Sequence, residues 1–88
     1  MEIEFDAAKN RRNIARRGLA FDRVSDFDFD TALIVEDDRR DYGEARYRAI
    51  GRMGVDVVAV VFTMRGRSLR VISLRHANKK ERQTYESK

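Results

Sequence analysis

The chain has 88 residues, 42% hydrophobic and 39% charged, with no cysteine, no proline, a net charge of +4 and a pI near 9.8. A chain of this length holds one modest core, burying about 60–65% of its unfolded surface, and the lack of cysteine excludes disulfides and thiolate metal sites. Its longest uncharged run, Val57 to Met64, is eight residues, against the roughly 20 needed to span a bilayer, and no secretory segment is visible, so the expectation is a soluble cytoplasmic domain without a membrane role.

Taken in chain order, Ile3-Glu4-Phe5 reads as a short strand, and Asp6 as the N-cap of a helix from Ala7 to Arg17 that Gly18 stops. Phe21, Val24 and Phe27 or Asp28, three or four residues apart, suggest a second, shorter helix whose end is left open by the alternation that begins at Phe27. Thr31 to Val35 is the next strand, and Glu36 to Glu44 is a polar connection closed by Gly43. Ala45 to Arg52 alternates, with Ala45, Tyr47, Ala49 and Gly51 on one face and Arg46, Arg48, Ile50 and Arg52 on the other. Met53-Gly54 turns the chain, and Val55 to Met64 is apolar on both faces, as in a central strand. A tight turn at Arg65-Gly66-Arg67-Ser68 leads to a last strand, Leu69 to Arg75, with Leu69, Val71, Ser73 and Arg75 on one face. Asn78 then caps a helix to about Glu86. The class is α+β: N-terminal helices, an antiparallel β-meander and a C-terminal helix. Ile34, Val57, Val58, Val60, Val61, Phe62, Val71 and Ile72 form the expected core.

Charge is segregated along the chain. Phe21 to Glu44 carries nine acids and three arginines, a net of −6, whereas Arg65 to Lys88 carries eight lysines and arginines and two acids, a net of +6. A concentrated positive field attracts polyanions better than a diffuse net charge. One histidine and no cysteine argue against a metal site, the acidic segment lacks the spacing of a calcium loop, and the scattered glycines form no phosphate cradle, so no cofactor is expected. No serine lies in an elbow motif beside His76. What remains is a group of cations with one imidazole, which suits RNA cleavage, because the 2′-hydroxyl is a built-in nucleophile and the protein has only to stabilise the phosphate and move protons.

Across most of the chain a set of residues recurs in a known order: Phe5-Asp6, Lys9, Asn13, Gly18, Phe21, Asp38, Glu44-x-Arg46-Tyr47, Ile50-Gly51, Thr63-x-Arg65, Arg70-Val71-Ile72-Ser73-Leu74-Arg75-x-Ala77, Glu81 and Tyr85. In this the chain resembles the BrnT family of bacterial type II toxins, small ribonucleases with a RelE-like fold. It departs from that pattern at Phe5 and Tyr47, where the family usually has tryptophan, at Arg17, where it has histidine, and at His76, where a basic residue is more usual. The resemblance implies a single toxin domain over residues 1–88, a metal-independent endoribonuclease acting on an RNA substrate. It also implies a BrnA-like ribbon-helix-helix antitoxin, two toxins flanking an antitoxin dimer, with operator DNA met only through that antitoxin.

On this reading Arg75, and Arg65 converging on the same place, stabilise the phosphate, because arginine forks match phosphate oxygens. His76 or Glu81 moves protons, and Arg70, Lys79, Lys80, Arg82 and Tyr85 hold the RNA strand. The plainer alternatives are Arg75 paired with Glu81, Arg65 a solvated turn residue, His76 surface decoration, Lys79, Lys80 and Arg82 a solvated helix face, Arg46 paired with Glu44, and Tyr85 an anchor for an otherwise apolar-poor helix. The rival reading of the whole chain is a non-catalytic basic module for nucleic acid or an acidic protein, including a degenerate, inactive toxin.

Overall fold

The computed structural model describes residues 1–88. It is an α+β fold in which one mixed sheet carries helices and loops on its faces and edge. Asp6 caps α1 (Ala7–Arg17) by accepting the Lys9 N–H at 3.0 Å, and Gly18, at φ 67°, ends it as its N–H donates to the Ile14 carbonyl. The expected second helix is a 3₁₀ turn, Phe21–Asp26. A spacing of three is the period of a 3₁₀ turn, and it sends Phe21 and Val24 into the core on one side. Phe27 lies just beyond the turn, bridged to Met53.

Five strands follow the order β1-β5-β4-β3-β2, comprising β1 (Glu2–Glu4), β2 (Leu33–Glu36), β3 (Tyr47–Met53), β4 (Asp56–Arg65) and β5 (Ser68–His76). The meander β2 to β5 is antiparallel and β4 is central, as its two apolar faces imply. The sheet as a whole corrects the expectation of a purely antiparallel one: β1 adds to β5 in parallel, Ile3 opposite Leu69. A three-residue strand has no turn to declare its partner, and this partner lies at the far end of the chain. Asn78 caps α2 (Lys79–Glu86) with a reciprocal capping box to Glu81.

The core lies against one face of the sheet. Ala49, Met53, Val58, Val60, Phe62, Leu69, Val71 and Leu74 meet Leu19, Phe21, Val24 and Phe27, and each large side chain buried there contributes about 1.5–3 kcal/mol. Ile34 of the expected core is 44% exposed instead, because β2 is an edge strand, and Val57, Val61 and Ile72 are half-buried. Helix α1 buries no side chain fully and is fixed by amides. Asn10 Oδ1 accepts from the Phe21 N–H at 2.8 Å, and Asn13 Nδ2 donates to the Leu19 and Leu74 carbonyls at 2.9 and 3.0 Å. Beyond Arg70 the outer edge of β5 has no strand neighbour, so Asn13 satisfies part of that edge.

One irregularity decides which residues face where. Val61 pairs with Ser73 but Phe62 pairs with Val71, so Ile72 is a bulge residue with no partner. The simple alternation expected for β5 therefore fails: Val71 and Leu74 both reach the core, while Ser73 and Arg75 turn to the opposite face.

Gly51 faces the core in β3, and a Cβ there would lie 2.8 Å from Phe27 Cζ and 3.0 Å from Ala32 Cβ. Gly51→Ala therefore overpacks the site and costs about 1–3 kcal/mol, which urea unfolding will register as a lower midpoint at unchanged slope.

Candidate functional site

On the face of the sheet away from the core, the pairing register lines up two cross-strand rows: Leu33, Ile50, Ala59 and Arg75, and beside it Val35, Arg48, Val61 and Ser73. Glu81 and Thr84 of α2 and Arg39 from the loop after β2 complete a groove of about 380 Å³. Its floor is aliphatic and its polar groups are three guanidiniums, two hydroxyls and one carboxylate.

That carboxylate is already engaged. Arg75 Nη1 and Nη2 donate to Glu81 Oε1 and Oε2 at 2.7 and 2.9 Å, and the Asn78 N–H donates to Oε1 at 2.9 Å. The Arg75 hydrogen bonds lower the Glu81 carboxyl to about 2, and the same contact raises Arg75. Glu81 is thus an orienting anion at neutral pH, and Arg75 is held rigid with 43% of its side chain still open to solvent. Arg39 is fixed in the same manner: its Nε and Nη2 donate to Asp37 at 2.8 and 2.9 Å. The Asp37 side chain is 1% exposed, and the Arg39 hydrogen bonds hold it far below the usual carboxylate range. Arg48 has no ion pair, and its charge reaches Glu81 only through space. The lining carries Arg39, Arg48 and Arg75 against Glu81, and with Asp37, the anion that holds Arg39, counted as well the net charge is +1, most of it on the unpaired Arg48.

The structure does not gather all of the expected residues here. Arg65 ends β4 at the hairpin turn, whereas Arg75 pairs with Ala59 six residues back along that strand, a separation of about 20 Å. The two therefore do not converge, and Arg65 lies 3.5 Å from Glu44. His76 follows Arg75 directly and so points to the opposite face, where Nε2 lies 3.7 Å from Asp56. Arg70 pairs with Glu4 and Thr63 toward the turn end of β5. Tyr85 is 5% exposed, its hydroxyl 3.2 Å from Thr31 Oγ1, so burial keeps its ring from stacking on a base and leaves it the anchor of α2. Lys79, Lys80 and Arg82 are exposed and unpaired on α2, with Lys80 one turn from Thr84 on the side near the groove. Arg46 pairs with Glu44 at 3.4 Å and lies 4.1 Å over the Tyr42 ring.

Two groove arginines were absent from the candidates drawn from the sequence. Arg48 was legible as an outward residue of its strand, but its alignment with Ser73 across Val61 depends on the bulge. Arg39 sat in a connection whose net acidity concealed it.

With this geometry in place, the comparison with protein families is decisive. The model described as "Ribonuclease toxin, BrnT, of type II toxin-antitoxin system" matches residues 5–81. The chain belongs to the BrnT family. No curated protein matches it. Membership of a family of type II ribonuclease toxins implies an RNA target and an antitoxin partner, and no helix of this BrnT-family chain is long and apolar enough to cross a membrane. The matched span includes every residue that lines the groove except Thr84.

The Arg75–Glu81 fork has a measurable acid signature. The folded Glu81 carboxyl titrates near 2 rather than at an ordinary 4.5, so its contribution is complete above about pH 4.5 and is lost as pH falls toward 2. Glu81→Gln will cost about 1 kcal/mol at pH 7, below the roughly 1.5–3 kcal/mol of a charged hydrogen bond because solvent screens the partly exposed Arg75. Urea unfolding at pH 7, 4 and 2.5 will show the gap between the two proteins closing with acidification.

Proposed function

We propose that this chain is a metal-independent endoribonuclease toxin that cuts RNA by attack of a 2′-hydroxyl on the adjacent phosphorus. The P–O2′ bond forms, the P–O5′ bond breaks, and the products end in a 2′,3′-cyclic phosphate and a 5′-hydroxyl. The observation that carries this reading is the cluster of Arg39, Arg48 and Arg75 around a carboxylate that is already saturated. Charge builds on the equatorial phosphate oxygens in the transition state, where a guanidinium fixed beforehand, as Arg75 is, stabilises it without reorganising. Arg75 takes one oxygen, oriented by Glu81, and the unpaired Arg48 takes another. Arg39 guards the rim, and Lys79, Lys80 and Arg82 of α2 steady the flanking backbone.

No imidazole lines the groove. The O2′ proton therefore leaves to water or hydroxide, and O5′ is protonated by solvent. That makes the reaction faster as pH rises through neutrality, with no limb belonging to a histidine. The antitoxin is taken to be a BrnA-like ribbon-helix-helix dimer flanked by two toxins, reaching operator DNA on the complex's behalf, with the complex acting in the cytoplasm. The same lack of a neutral base favours one other reading, a basic module that binds RNA without cutting it.

The deciding assay is cleavage of a labelled RNA in EDTA. Arg48→Ala and Arg75→Ala will each lower kcat by roughly 10²–10³, the size of a lost oxyanion donor, while His76→Gln will stay within about threefold, far less than the loss of a general base. Binding without any cleavage by the wild type would leave the module reading standing.

A further inference from the structure

Helix α1 is one-sided in charge. Between Ala7 and Arg17 it carries Lys9, Arg11, Arg12, Arg16 and Arg17 and no acid. None of these five forms an ion pair. Lys9, Arg12 and Arg16 are spaced by three and four, so they form a row on one helix face and repel one another there, which weakens a helix. The packing does not require Lys9, Arg12 or Arg16, because α1 is docked through Asn10, Asn13 and the Arg17 guanidinium, which donates to the Leu74 carbonyl at 3.5 Å, and buries no side chain fully.

Between this row and β5 lies a shallow depression of about 160 Å³, lined by Lys9, Arg12, Asn13, Arg16 and Arg17 with Phe21, Ile72 and Ser73. Four cations and no acid face it. The capping carboxylate Asp6 feels the row, being held low first by the Lys9 N–H and lastly by the charges of Arg12 and Arg70. Ser73 lines both this depression and the arginine groove. The bulge at Ile72 therefore brings the two basic surfaces together at the open edge of β5.

We infer that the Lys9–Arg12–Arg16 face of α1 is a second phosphate track, over which a single-stranded RNA runs after crossing Ser73 from the groove. The inference rests on the proposed ribonuclease reading and adds the path of the substrate. Three residues spread over two helical turns span about 10 Å, and mobile cations at that spacing contact backbone phosphates without reading bases.

The test uses unstructured oligouridylates of two lengths, one short enough to fill the groove alone and one long enough to reach α1. Arg12→Gln/Arg16→Gln is compared with wild type for binding across a salt series and for cleavage. Neither side chain makes a hydrogen bond or ion pair, so the fold stays intact. The double variant will bind the long RNA about tenfold more weakly, with a salt slope shallower by about 1–2, and will bind and cleave the short RNA like wild type. Equal affinity and slope for both proteins on the long RNA would overturn the track while leaving the groove in place, even if the variant bound an acidic protein less well. A wild type that neither binds nor cleaves either length would remove the ribonuclease reading and the track with it.

Discussion

The pairing of β4 with β5, and the single bulge in it, is the constraint on which the rest depends. β4 is the central strand and β5 its neighbour, and the register between them fixes which side chains share a face. Because Ile72 is left over, the strand leaves the bulge with Leu74 in the core and Ser73 and Arg75 outside it. Without the extra residue, a regular alternation that kept Val71 in the core would also point Ser73 and Arg75 inward and Leu74 outward. A buried arginine without its partner is far more costly than a bulge. The apolar packing of the core therefore selects the register that builds the groove.

From that register the site follows in steps. Arg75, once outside, meets Glu81, and the same Glu81 caps the start of α2. One carboxylate thus sets the helix and the guanidinium at once. On the opposite wall Asp37, buried and tied to Arg39 and Tyr42, secures the loop after β2. The two arginines that are tethered cannot fold away from the groove, and the one that is free can adapt to a ligand. Preorganised charge of this kind is what a phosphate-stabilising site needs, since the energetic benefit lies in donors that do not move as the reaction proceeds.

The electrostatic division of the molecule also takes on a different form in three dimensions. The acidic segment from Phe21 to Glu44 supplies core aromatics, the buried Asp37 and one groove arginine, so it is not simply the negative half of a dipole. The basic end is likewise split. Arg65 and Arg67 sit at the hairpin turn, and only the far end of β5 and α2 reach the groove. Meanwhile α1, distant in sequence from the basic end, comes alongside it because Asn13 binds the Leu74 carbonyl.

The sequence by itself determined the local elements. Asp6 and Gly18 delimit α1, Asn78 starts α2, the doubly apolar run makes β4 central, and the ordered motif residues mark the family. Each of these is set by neighbours a few residues apart or by composition along one segment. Tertiary structure alone decided that β1 lies parallel on β5, that Leu74 enters the core while Ser73 and Arg75 face away from it, and that Arg39 and Arg48 join Arg75. The reason is that these outcomes depend on long-range contacts: Arg39 on the buried Asp37, and the strand residues on register. A one-residue slip in a strand reverses every side chain beyond it, and that slip was chosen by long-range core packing rather than by any local pattern.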